Sequence, residues 1–280
     1  MPNTNNRPLE MKEIQKISFE ILKYMAQVCE EQQLRYYLMY GTLIGAVRHK
    51  DYIPWDDDVD IMMPRPDYEK FLSWASSHKE EMAPYEIFNR QTNKDYIYGI
   101  TRVSDSRFEI FKDNEKNCGM GVFIDVYPYD GLGNDKEEAL SKLKKTRELC
   151  DIIIAMTRND QSVPKQLNYK GRIVYKLKQI KQCILGINYY WRQFEMLRRG
   201  SDFDSSKYVG PLMWYFEKPE KVLFERVLFK DYKMLDFAGE KFRVPCGYDT
   251  VLRREYGDYM QLPPVEKRVY HHDYKAYKKD

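Results

Sequence analysis

Cysteine is scarce and badly placed for either of its usual structural jobs. Cys29, Cys118, Cys150, Cys183 and Cys246 are odd in number and far apart. They supply neither a disulfide framework nor the close pairs of a zinc knuckle. A reducing, cytoplasmic setting is therefore expected. No apolar run approaches the ~20 residues of a transmembrane helix. The opening MPNTNNRPLE has no apolar signal core. A soluble or at most peripheral protein is expected. An excess of one charge is also missing. The 46 Lys+Arg and 43 Asp+Glu leave a net +3 over 280 residues, which argues against nucleic acid as a partner. Neither GxxxxGK[ST] nor GxGxxG occurs, and no repeat or low-complexity tract is present.

What is present is a foldable chain. It is 43% hydrophobic and 32% charged, which excludes wholesale disorder and allows one large domain or a core with an elaboration. Apolar residues Ile14, Ile17, Ile21, Met25 and Val28 recur at helical spacing, predicting a helix within Leu9 to Gln33. Strand candidates are 36–40, 59–63, 85–91, 98–103, 108–111 and 122–127. Short helices are expected over 42–48 and 66–77, the second with Pro66 in its first turn. This mixture predicts an α+β protein with a mixed sheet flanked by helices. Its expected parts are a catalytic core over 1–134, a basic helical insertion over 135–206, and a C-terminal extension over 207–280 that completes the cleft. In the insertion, helices are expected over 135–158 and 164–187. Seven basic residues and no acid fall between Gln161 and Phe194. An apolar stripe with Lys-rich flanks suits an anionic membrane surface, and a packed helix with a solvated basic face is the alternative. The last third returns to strand and turn signals, a helix over 247–256, and a polar tail.

The most informative segment is YGTLIGAVRHKDYIPWDDDVDIMMP, residues 40–64. Asp56, Asp58 and Asp60 alternate. On an extended strand Asp58 and Asp60 share a face, while Val59 and Ile61 enter the core. Like charges so placed raise one another's pKa unless a cation sits between them. An all-oxygen set suits Mg²⁺ or Mn²⁺ better than zinc. A solvated acidic turn is the competing reading. An EF-hand fails, because its sixth position would be Ile61 and its twelfth Asp67. Asp125 sits inside the apolar strand FIDVY, where an isolated carboxylate is costly unless it binds metal, is paired or acts as a base. Asp130, after Pro128, reads as a turn residue. Gly41 and Thr42 follow a strand, where a glycine lets backbone approach closely and a helix start offers N–H groups to an anion. Together these features describe a phosphate cradle facing a metal site.

These segments resemble the LicD family of phosphotransferases, in the nucleotidyltransferase superfamily. The resemblance rests on YGTLIGAVRHKDYIPWDDDVDIMMPRPDYEKF, GVFIDVYPYDGLG and RVPCGYDTVLRREYGDYMQLPPVEKRVYHHD. It runs from Leu9 to the C-terminus and is loose over 135–207. Thr42 stands where the superfamily has Ser. The animal relatives, fukutin and the fukutin-related protein, use CDP-ribitol; their cysteine zinc site has no counterpart here. The resemblance implies transfer of phosphocholine from CDP-choline, or of a similar phospho-alcohol, to a glycan such as lipopolysaccharide or teichoic acid, or to its lipid-linked precursor, at the inner face of the membrane. It implies Asp58, Asp60 and Asp125 as catalytic metal ligands, assisted by Asp56, with Gly41 and Thr42 on the donor phosphates.

Arg48, Lys50 and Arg102 are candidates for phosphate oxygens. A choline headgroup would need aromatic faces, for which Tyr40, Trp55, Tyr127, Tyr129 and Trp214 are available. His271 and His272 are candidate donor or acceptor contacts. Two other readings stay open: nucleotidyl transfer with release of pyrophosphate, and an inactive binding module of the same fold.

Overall fold

Periodicity at the N-terminal end becomes helix α1, Met11–Glu31, in a computed structural model that describes residues 7–112, 117–157, 168–213, 218–269 and 274–279. Its first turn is held by a capping box, in which Glu13 accepts from the Glu10 amide at 2.9 Å. The stripe Ile14, Ile21, Leu22, Met25, Val28 and Cys29 is buried against the sheet. Each of its Ile, Leu, Met and Val side chains contributes roughly 1.5–3 kcal/mol.

Among the described residues the sheet has seven strands. The main path runs β1 (Tyr37–Leu38), β2 (Asp60–Pro64), β6 (Phe123–Gly133), β4 (Thr101–Asp105) and β3 (Tyr85–Phe88). Strands β7 (Tyr208–Gly210) and β8 (Phe224–Glu225) extend from the far end of β6. Among the described residues only β2 and β6 pair in parallel, so the sheet is mixed and the fold is α+β. Strand β5 (Phe108–Lys112) pairs instead with β11 (Tyr274–Lys278). The expected polar tail is thus partly an edge strand. Its alternation buries Ala276 and leaves Lys275 and Lys278 outside, which hides the strand in a Lys-rich sequence.

After β1 the chain enters α2 (Tyr40–Ile44), which widens into a π-helical turn, Gly45–His49. The expected helix at 42–48 is therefore two residues early and irregular. Gly45 is where the next loop comes close, since a Cβ there would lie 2.5 Å from the Asp51 carbonyl oxygen. Helix α3 (Arg65–Ser77) follows β2, and a short α4 (Lys79–Met82) leads to β3.

Helices α5 (Lys136–Thr157), α6 (Tyr169–Leu185) and α7 (Ile187–Arg198) follow β6. Cys150 and Ile153 of α5 share a small core with Tyr190, Trp191 and Phe194 of α7. Strands β9 (Tyr232–Phe237) and β10 (Glu240–Pro245) form a hairpin closed by Ala238 and Gly239, both at positive φ. Its Phe237 and Phe242 pack on Phe19 of α1. Helix α8 (Tyr248–Tyr256) then returns the chain towards α2. No helix among the described residues is long and apolar enough to cross a membrane.

Asp130 is a correction. It lies inside β6, fully buried, and takes both Arg65 nitrogens, Nε at 2.7 Å and Nη2 at 2.8 Å. Pro128 does not turn the chain; it continues the parallel ladder opposite Met63.

Candidate active site

The parallel ladder of β2 and β6 sets the geometry, because Asp60 and Asp125 are direct register partners. Neighbouring strands lie about 4.8 Å apart, so the two carboxylates share one end of the sheet. Strand β2 begins at Asp60, so Asp58 stands in the lead-in rather than on the strand. Val59 and Ile61 are fully buried, as the alternation requires. The Asp125 amide donates to the Val59 carbonyl at 2.8 Å, and the Asp60 amide donates to Thr42 Oγ1 at 2.8 Å. Thr42 therefore fixes the start of the acidic strand.

Gly41 explains itself by contact. A Cβ at this position would lie 2.5 Å from Asp56 Oδ2 and 3.9 Å from Asp58 Oδ1. Glycine lets the turn approach the Asp56 carboxylate without displacing it, while Asp58 would be in ordinary contact. The structure thus brings Gly41, Thr42, Asp56, Asp58, Asp60 and Asp125 together.

Their electrostatics are unfavourable as they stand. Burial, then the charges of Asp60 and Asp56, push the Asp58 carboxyl well above its ordinary range, and a hydrogen bond with Asp56 adds to this. Burial, then the charges of Asp125 and Asp56, do the same to Asp60. Asp60 Oδ1 is buried without a hydrogen-bond partner. An orphaned anionic oxygen among like charges is a place where a cation or a proton is strongly favoured.

Asp125 is held differently. Arg102 Nε donates to its Oδ1 at 2.6 Å, and the Tyr127 hydroxyl lies 3.5 Å from Oδ2. The Arg102 guanidinium is itself packed over Phe123 at 3.9 Å and Tyr98 at 4.3 Å. From the sequence, Arg102 is expected on a donor phosphate; in the structure it holds Asp125.

Arg48 lies on the π-helical turn and donates to the Tyr259 carbonyl at 2.6 Å. Burial first, and then the nearby Arg268 charge, depress its pKa. Arg268 stacks over Trp55 at 5.5 Å, so that ring already carries a guanidinium. Lys50 is exposed, and its carbonyl accepts from Ala238, tying the turn to the β9–β10 hairpin. Tyr40 meets the Tyr127 ring at 4.8 Å, and its hydroxyl is 3.1 Å from that of Tyr129. Tyr129 is a second correction: it is fully buried against Phe224 and Phe229, so it braces Tyr40 instead of meeting a headgroup. Trp214, His271 and His272 lie outside the described residues.

Two participants escaped the sequence reading. Glu255 of α8 has a buried Oε2 with no hydrogen-bond partner, and burial pushes its carboxyl up to about 8. Its charge is felt by both Asp60 and Tyr40. Arg268 is the other. Neither carries a local mark in the sequence, because burial of Glu255 and the approach of Arg268 to Arg48 are tertiary facts.

Among the described residues no group of three or more His, Cys, Asp or Glu is posed to hold a metal ion. The fit to a hard cation rests instead on the chemistry of the donors: an unpartnered Asp60 oxygen, carboxyls destabilised by mutual charge, and a glycine cradle a Cβ would fill.

The sheet thus carries a Gly-Thr turn pressed on an Asp-x-Asp lead-in, with a third Asp in register on the adjacent strand. The family profile described as LicD/FKTN/FKRP, nucleotidyltransferase domain, matches residues 33–148. The lipopolysaccharide cholinephosphotransferase LicD of Haemophilus influenzae is 30% identical over 97% of this chain and 99% of its own length. The ribitol 5-phosphate transferase FKRP of Homo sapiens is 50% identical over 42 residues, 15% of this chain and 8% of FKRP. A Rickettsia typhi protein of unassigned function is 30% identical over 45% of this chain and 38% of its own. The chain belongs to the LicD family and is a transferase of that kind.

Proposed function

We propose that this enzyme transfers phosphocholine, or a similar phospho-alcohol, from a CDP-linked donor to a sugar hydroxyl of a cell-surface glycan or its lipid-linked precursor. The observation that carries the reading is the convergence of Asp58, Asp60 and Asp125 beside the Gly41–Thr42 turn, with Asp60 Oδ1 left unpartnered. The names of the relatives support phospho-alcohol transfer to a glycan. Five free thiols suit a cytoplasmic enzyme.

Asp58 and Asp60, with Asp56 beside them, would hold Mg²⁺ or Mn²⁺. When bound, the ion supplies charge neutralisation for the donor diphosphate. The remaining work falls to this chain's own residues. Gly41 brings the backbone of α2 close enough to face donor phosphates. Thr42 fixes the Asp60 amide. Arg102 holds Asp125 Oδ1, and Oδ2, which takes only a long 3.5 Å contact from the Tyr127 hydroxyl, keeps a lone pair to accept a hydrogen bond from the attacking sugar hydroxyl. Phosphoryl transfer through a loose transition state depends chiefly on such positioning. Tyr40 and Tyr127 supply aromatic faces beside the carboxylates for a cationic headgroup.

A CDP-alcohol screen with Mg²⁺ tests the reading. Release of free CMP is the expected result. The family description also names a nucleotidyltransferase domain, and pyrophosphate release from a nucleoside triphosphate would establish that second reaction instead.

A further inference from the structure

Helix α6 is built inside out. Its ends are well defined: the Asn168 side chain accepts from the Gly171 amide at 2.8 Å, and Gly186 at φ 71° stops it. Between these ends no residue is buried. At about 100° per residue, Tyr169, Ile173, Leu177, Ile180 and Ile184 fall within an arc of about 80°. Those five side chains are 79%, 44%, 60%, 54% and 78% exposed. The half-buried face is the opposite one, made of Gly171, Tyr175, Gln179 and Gln182. An ordinary surface helix does the reverse. Neighbouring α7 shows the usual arrangement, burying Tyr190, Trp191 and Phe194.

The rim of the exposed stripe identifies what covers it. Lys170 and Lys181 flank one side of the arc, and Arg172 and Lys176 flank the other, by the same helical geometry. From Asn168 to Phe194 there are six basic residues and no acid. A second copy of this chain would set cations against cations across a two-fold contact. An anionic bilayer satisfies both features at once: isoleucine and leucine enter the acyl boundary while lysine stems reach up to lipid phosphates.

We propose that α6 is an in-plane docking helix that seats the enzyme on an anionic membrane surface through Ile173, Leu177, Ile180 and Ile184. The proposal is independent of the donor chemistry, because it concerns a face remote in sequence from the carboxylates.

The test is co-sedimentation of the full chain with vesicles of phosphatidylcholine alone, and of phosphatidylcholine with phosphatidylglycerol in equal parts, at low and high salt. Binding to the anionic vesicles, weakened by salt, is expected. Lys176→Gln with Lys181→Gln should weaken it about thirtyfold, at ~1 kcal/mol per basic residue. Ile173→Ser, Leu177→Ser and Ile180→Ser together should weaken it on the order of a hundredfold. All five positions are exposed, so circular dichroism and the melting midpoint should not fall in either variant. Failure to bind anionic vesicles at low salt would overturn the proposal. So would equal binding to neutral vesicles, or full binding by the triple serine variant. A solution dimer that the serine variant abolishes would assign the face to self-association and likewise overturn it.

Discussion

The sheet end around Asp60 and the outer face of α6 break the same rule in opposite directions. At the first, carboxylates are withdrawn from water without enough compensation: Asp60 Oδ1 and Glu255 Oε2 are buried and unpartnered. At the second, branched aliphatics stand in water without cover. Other parts of the chain follow the rule. Asp130 is buried but answered by Arg65, and the apolar stripe of α1 is buried to the last turn. Such exceptions are expected where stability is given up for function, and the partner proposed for each is its own: a cation for the first and a lipid surface for the second.

The largest effect should come from the acidic end. Asp58→Asn or Asp60→Asn should lower turnover about 10³-fold or more, by analogy with loss of a preorganised charge. The melting midpoint should hold or rise, because a repelled buried charge is removed. Activity near wild type with a lowered midpoint would make these aspartates structural and dissolve the contrast.

Arg102→Gln separates positioning from bulk stability. It leaves Asp125 unpaired in a buried setting, which should cost about 3–5 kcal/mol. Arg102→Lys keeps the charge but loses the Nε geometry. It should lower kcat with little change in KM for the donor. Equal kcat in the Lys variant would return Arg102 to a purely structural role.

Glu255→Gln sharpens the contrast through pH. The folded carboxyl is raised from 4.5 to about 8 by burial. The folded state therefore binds more protons than the unfolded one across that window, and wild-type stability falls as pH rises from about 4.5 to about 8. The Gln variant lacks this slope. It should gain about 1–3 kcal/mol over wild type by pH 8 in metal-free buffer, allowing for partial solvent access. Parallel pH curves for the two proteins in denaturant unfolding would remove Glu255 from the electrostatics of the site.

The smallest effect concerns Gly41→Ala. The added Cβ meets the carboxylate end of Asp56, a side chain that can swing aside. A loss of about tenfold in kcat/KM is expected, with stability within about 1 kcal/mol of wild type.

Much of this is legible in the sequence, and the reasons are physical. Helix α1 and strand β2 carry strong local periodicity, and the Asp56–Asp58–Asp60 spacing survives whether the residues stand on a strand or just ahead of it. Gly186 marks a break inside the basic segment, yet α7 is missed because its aromatic stripe of Tyr190, Trp191 and Phe194 has no partner until α5 arrives. Strand β11 depends wholly on pairing with β5, more than 150 residues earlier. Arg102 and Asp125 sit opposite each other only through the β4–β6 ladder. That Arg102 holds Asp125 and Tyr129 braces Tyr40 is decided by packing, which no local pattern carries.

The most direct test of the central claim is a Mn²⁺ titration of the full chain, followed by electron paramagnetic resonance, on wild type and on Asp60→Asn. Saturable binding by the wild type that the Asn variant loses is the predicted result. Identical Mn²⁺ uptake by the two proteins, or none by either, would contradict a cation held at the paired ends of β2 and β6.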